Sequence, residues 1–208
     1  MSSSPKLRGR AWILHGFNVR DGGTGSVDKL IPALVGADFE VEEFDYGWLG
    51  PVGVDILDGR LARLLAKLVH PGDVCVAHSN GCCIAQLAAE AGAPFAVMSF
   101  ISPALDRDAV LPPQVGARHV WHTPSDEWVT KARWIPFVKW GDMGAVGYIG
   151  PTDGGRTVNF NGEALLGVKP ILHSGWFAEP PVSQASQLIV GELLKAHFRI
   201  TNHLDFSP

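Results

Sequence analysis

Apolar and polar residues recur along the chain with two different periods. Ala11-Trp12-Ile13-Leu14, Val74-Cys75-Val76-Ala77, Phe95 to Ile101 and Ala117 to His122 are short, nearly continuous apolar runs. Runs of that length without alternation predict strands buried on both faces. Phe39 to Tyr46 alternates instead, and its acids predict a strand nearer a sheet edge. Between these runs the period lengthens. Val27, Leu30, Ile31, Leu34 and Val35 share one face of a helix that Ser26 is placed to cap. Leu57, Leu61, Leu64, Leu65 and Leu68 make a second stripe, which His70-Pro71-Gly72-Asp73 ends. A third helix runs from Gly81 to Ala91 and a last one from about Val182 to Phe198, with Ile189, Leu193 and Ala196 inward. From Trp128 to Gly167 the pattern degrades, with a hairpin signal at Asp153-Gly154-Gly155, before Val168 to Leu172 reads as a final strand.

Buried strands alternating with amphipathic helices imply a mostly parallel sheet of about six strands, covered by helices on both faces as a three-layer sandwich. The expectation is a single domain over 1–208, with 1–10 flexible and 128–167 an irregular excursion near the active-site face. A chain of 208 residues suits one domain, and 46% hydrophobic with 18% charged residues is the balance of a globular protein.

Net charge is −4 with the cations scattered, which argues against nucleic acid as a partner because phosphate binding needs clustered Lys and Arg. No apolar run approaches the ~18 residues of a membrane span. The Ala11–Leu14 run after the polar start is too short for a signal-peptide core, so the expected location is cytoplasmic. Cys75, Cys82 and Cys83 cannot all pair and lack metal-ligand spacing; they read as small buried hydrophobes in a reducing compartment.

Chemistry concentrates after the strands. Val74 to Ala77 leads into His78-Ser79-Asn80-Gly81, a small-x-Ser-x-Gly string. A serine in such a string stands on a tight strand-to-helix turn that exposes its hydroxyl, and the flanking positions must be small to clear the neighbouring backbone. The plain alternative is a serine that starts a helix. His15-Gly16-Phe17 follows the first strand, Asp126 follows Ala117–His122, and His173 follows the last apolar run. Asp126 could also serve as a turn residue, with Asp142 and Asp153 as substitutes, and His173 could merely bond a carbonyl. By strand alternation His78 points away from the serine. Trp48, Trp128, Trp134, Trp140 and Trp176 lie in or beside loops that border the same end of the sheet, as substrate-pocket walls or as packing.

Serine, acid and histidine in that order, each beyond a strand, resembles the α/β-hydrolase superfamily. The resemblance rests on His15-Gly16-Phe17, Ala77-His78-Ser79-Asn80-Gly81, Ser125-Asp126-Glu127-Trp128-Val129 and His173-Ser174-Gly175. It implies a minimal form of that fold without a large lid. Ser79 would be the nucleophile, His173 the base and Asp126 its orienting acid. The tetrahedral intermediate needs two donors, and the backbone N–H groups of Asn80 and Phe17 are placed for an oxyanion hole. The implied activity is cleavage of a small-molecule carboxylic ester of small to medium acyl chain, with no cofactor and no metal. Thioesterase or acyltransferase chemistry uses the same groups, and a non-catalytic scaffold keeps the fold without the reaction.

Overall fold

The computed structural model describes residues 7–17, 25–47, 51–132, 140–179 and 181–204. Six strands form one sheet in the order β2-β1-β3-β4-β5-β6, and every pairing is parallel. They are β1 (Arg10–Leu14), β2 (Glu40–Glu43), β3 (Val74–His78), β4 (Val97–Ile101), β5 (Ala117–His122) and β6 (Thr157–Asn161).

The apolar runs explain the sheet because successive side chains face opposite layers. Ala11, Ile13, Val74, Val76, Val97 and Ile101 point into one core, against α1 (Ile31–Gly36) and α7 (Pro181–Leu204). Trp12, Leu14, Cys75, Ala77, Met98 and Phe100 point into the other, against α2 (Pro51–Leu68) and α3 (Asn80–Glu90). Fully burying each large aliphatic or aromatic side chain stabilises the fold by ~1.5–3 kcal/mol, which is why both faces must be covered. All three cysteines are free and buried. Among the described residues no helix is long and apolar enough to cross a membrane.

Four expectations change. Val168–Leu172 is loop, and the sixth strand is β6, inside the stretch whose pattern had degraded. Among the described residues β6 pairs only with β5, and its Val158 is 37% exposed, so it carries little of the apolar signature of a covered strand. The hairpin signal at Asp153-Gly154-Gly155 is a turn with two left-handed glycines leading into β6. Among the described side chains of α2 the buried positions are Asp58, Ala62 and Leu65, with Val69 buried just beyond its end, while Leu64 and Leu68 are exposed. The Val27–Val35 segment is a 3-10 turn (Val27–Leu30) running into α1; Val35 is exposed and the Ser26 side chain makes no capping bond. Short elements α4 (Glu127–Ala132), α5 (Met143–Val146) and α6 (Gly162–Leu166) surround β5 and β6.

Strand order reverses at β1 and β3, from which the chain departs to opposite sides. Loops leaving the carboxyl ends of two such strands diverge and open a crevice. The loop after β1 carries Phe17, and the turn after β3 carries Ser79.

Candidate active site

Ser79 lies between β3 and α3 with φ 55° and ψ −122°, a conformation that a non-glycine residue adopts only under constraint. The constraint is visible in the neighbours. Ser79 N–H donates to the Ile101 carbonyl at 3.0 Å, and the Ser79 carbonyl accepts from Cys82 N–H at 3.1 Å and Ala104 N–H at 3.3 Å. A Cβ on Gly81 would stand 2.4 Å from the His15 carbonyl oxygen and 2.7 Å from that of Leu14. The turn therefore closes only because position 81 has no side chain.

His173 reaches this hydroxyl from the loop that replaces the expected strand. Its Nε2 lies 2.8 Å from Ser79 Oγ, and its Nδ1 lies 2.8 Å from Asp126 Oδ2. Asp126 is fully buried, and its other oxygen accepts from Val129 N–H at 3.4 Å. A carboxylate accepts only, so Nδ1 carries the proton and donates to Asp126, leaving Nε2 to accept from the serine. The structure brings Ser79, His173 and Asp126 together.

Two residues that sequence reasoning passed over hold this arrangement. Glu163, at the start of α6, accepts from Ile171 N–H at 3.1 Å and bonds Ser125, tying the histidine loop to the aspartate turn. Burial pushes its carboxyl up, but the Ser125 and Ile171 bonds and nearby Lys169 outweigh that and hold it below its ordinary value. His78, expected to face away, borders the same cleft as Ser79. Its Nε2–H donates to the His173 carbonyl at 3.1 Å, with the two rings 4.9 Å apart. Burial, and secondarily the charge that His173 can carry, push His78 down to about 3, so it stays neutral. His78 keeps to the face of β3 that Val74 and Val76 occupy and packs edge-on against Phe177, so it is the turn at Ser79 that brings the serine round to its side.

Phe17 is half-buried beside the cleft, and Asn80 is fully buried at the first turn of α3. The loop carrying Phe17 passes directly over the serine, since a Cβ on Gly16 would lie 3.0 Å from Ser79 Cβ. Tyr46 hydroxyl donates to the His15 carbonyl, and the His15 ring stacks on Tyr46 at 4.0 Å, which fixes this loop from below. The cleft holds about 410 Å³, with Trp128 and Leu172, both more than half exposed, on its rim. Trp176 does not line it. That indole is buried, donates to Ser102 Oγ at 3.1 Å and packs edge-on against Trp121, so its role is in the core. Trp48 and Trp134 lie outside the described residues. Among the described residues no cluster of three or more His, Cys, Asp or Glu is arranged to hold a metal ion.

No family profile and no curated protein sequence matches the chain. Solved structures do. A protein assigned to the α/β-superfamily hydrolases of Xanthomonas campestris pv. campestris matches with TM-score 0.52 at 18% identity, over 90% of this chain and 99% of that one. Lipase B of Aspergillus fumigatus matches with TM-score 0.53 at 16% identity, over 88% of this chain and 52% of the lipase. A sugar hydrolase of Lactococcus lactis matches with TM-score 0.51 at 12% identity, over 93% of each chain. The likeness is one of fold: the chain has the architecture of the α/β hydrolases, in a compact form.

Proposed function

We propose that this protein is a serine hydrolase that cleaves carboxylic esters of small to medium acyl chain. The observation that carries the reading is the continuous relay from Ser79 Oγ through both nitrogens of His173 to buried Asp126, with 2.8 Å at each step.

A serine hydroxyl is a weak nucleophile at neutral pH and needs a base to take its proton during attack. His173 Nε2 takes that proton as Ser79 Oγ adds to the ester carbonyl. Asp126 fixes the tautomer and stabilises the imidazolium. Charge then collects on the former carbonyl oxygen, and the backbone N–H groups of Asn80 and Phe17 receive it, each worth ~3 kcal/mol in the transition state. His173 returns the proton to the departing alkoxide, which leaves an acyl-Ser79 ester. Water, deprotonated by the same nitrogen, hydrolyses it and frees the serine. No cofactor takes part. The cleft of about 410 Å³ suits a short or medium acyl group better than a long one, and Trp128 and Leu172 give it an apolar rim.

A fluorophosphonate probe should label wild-type protein at Ser79, and Ser79→Ala should lose both the label and p-nitrophenyl butyrate hydrolysis, the latter by ~10⁶-fold. Running thioesters and an acceptor alcohol beside the esters separates ester hydrolysis from thioesterase and acyl-transfer activity. Folded wild-type protein that neither labels nor turns over any of them would mark a scaffold and end the proposal.

A further inference from the structure

We infer that Trp140 is a positioning residue for the oxyanion hole and that it holds both halves of the hole at once. The inference rests on the hydrolase reading above. The Asn80 side chain does not face the cleft chemistry; it is a bridge inside the protein. Its Nδ2–H donates to Asp58 Oδ1 at 3.3 Å, and its Oδ1 accepts from the Trp140 indole N–H at 2.8 Å. Asn80, Asp58 and Trp140 are all buried. An indole N–H only donates and a carboxylate only accepts, so the amide has one orientation and cannot turn without orphaning a buried group. Its backbone N–H, the first donor, is fixed by the same restraint.

The opposite donor meets the same indole. The Phe17 ring stands edge-on to Trp140, with centroids 5.0 Å apart and planes at 70°. Phe17 and Asn80 lie far apart in sequence on different elements, and Trp140 touches the side chains of both.

Trp140 is in turn referenced to the nucleophile. Gly141 N–H donates to the Ala104 carbonyl at 3.0 Å, Met143 N–H to Leu105 at 3.0 Å and Gly144 N–H to Pro103 at 2.9 Å. Ala104 N–H donates to the carbonyl of Ser79 itself at 3.3 Å. Gly141 makes this approach possible, because a Cβ there would fall 2.3 Å from the Asp106 backbone. The indole is thus tied to the serine by backbone hydrogen bonds, and the two donors are set by the indole.

The test removes the indole N–H while keeping an aromatic side chain. Two variants do so: Trp140→Phe, and replacement of Trp140 by β-(3-benzothienyl)alanine, which keeps the bicyclic shape and carries the measurement if the smaller ring impairs folding. Oxygen esters are compared with the matching thionoesters, whose sulfur accepts hydrogen bonds poorly, so that the oxygen-to-sulfur rate ratio reports on the hole. Both variants should lose roughly 10- to 100-fold in kcat, with KM changed less than about twofold and the ratio narrowed by a similar factor. Unchanged kcat and ratio in a folded variant, beside an active wild type and an inactive Ser79→Ala, overturn this inference and leave the hydrolase reading standing. An inactive wild type overturns both.

Discussion

Two glycine-to-alanine substitutions in helices should have opposite effects, and the difference isolates how closely α3 approaches β1. In α7, a Cβ on Gly191 would meet nothing within 4 Å. Gly191→Ala then gains only the helix preference of alanine, about 1 kcal/mol. For a chain of this length that is a rise in Tm of about 2–4 °C. Gly81→Ala gains the same preference, but its Cβ would sit 2.4 Å from one backbone carbonyl oxygen and 2.7 Å from another. Ordinary contact is ~3.5 Å, so the helix must retreat by about 1 Å, and no rotamer change can relieve a clash with backbone. Overpacking of this kind costs about 3 kcal/mol, leaving a net loss of about 2 kcal/mol and a fall in Tm of about 4–8 °C. The retreat also separates Asn80 from the Phe17 loop, and a misplacement of ~1 Å near reacting atoms slows catalysis ~10²-fold. Scanning calorimetry and p-nitrophenyl butyrate kinetics on both variants read the two effects. A Gly81→Ala protein with wild-type Tm and rate would refute the proposed geometry of the turn.

Other outcomes follow from the same contacts. Asp126→Asn should leave the fold intact and lower kcat by ~10⁴-fold, since the amide no longer favours the tautomer with the proton on Nδ1; steady-state kinetics beside a melting curve check it. Glu163→Ala unties the histidine loop from the aspartate turn and should lower kcat roughly tenfold while KM moves little. Acid should destabilise the protein through its buried histidines, because burial lowers His78 to about 3 and His119 to about 4 from an ordinary 6.5. Their folded values lie below the unfolded one, so the unfolded chain binds more protons in between. The stabilisation is complete above about pH 6.5 and is lost as pH falls toward 4 and 3, on the order of a few kcal/mol. A Tm that stays level between pH 7 and 4.5 contradicts this, and His119→Phe should flatten part of the slope.

Much of the site was legible because it depends on local stereochemistry. The small-x-Ser-x-Gly string specifies a turn that few other sequences close, and the order of Ser79, Asp126 and His173 follows from where a parallel sheet presents its loops. The reason that singled out His173 does not hold: it ends a loop bonded to Glu163 and Thr123, not a strand. β6 was missed because an edge strand buries too little to need the apolar run by which inner strands are read. In α2 the leucines are dense enough to fit several overlapping stripes, and the face that packs includes Asp58, whose carboxylate is committed to Asn80. Aromatic identity alone does not separate Trp128, on the cleft rim, from Trp176, in the core; only the partner of each indole does. The roles of His78, Glu163 and Trp140 depend on contacts between distant segments, which no local pattern encodes.

Two of the three thiols give the protein an internal clock for its own opening. Cys75 and Cys82 are completely enclosed, and burial pushes both thiols well above their ordinary acidity range, so the reactive thiolate is suppressed as well as shielded. They flank the turn at Ser79, on β3 and on the first turn of α3. A maleimide can therefore reach them only when the packing around that turn opens, and the pace at which they are alkylated under native conditions measures how often it does so.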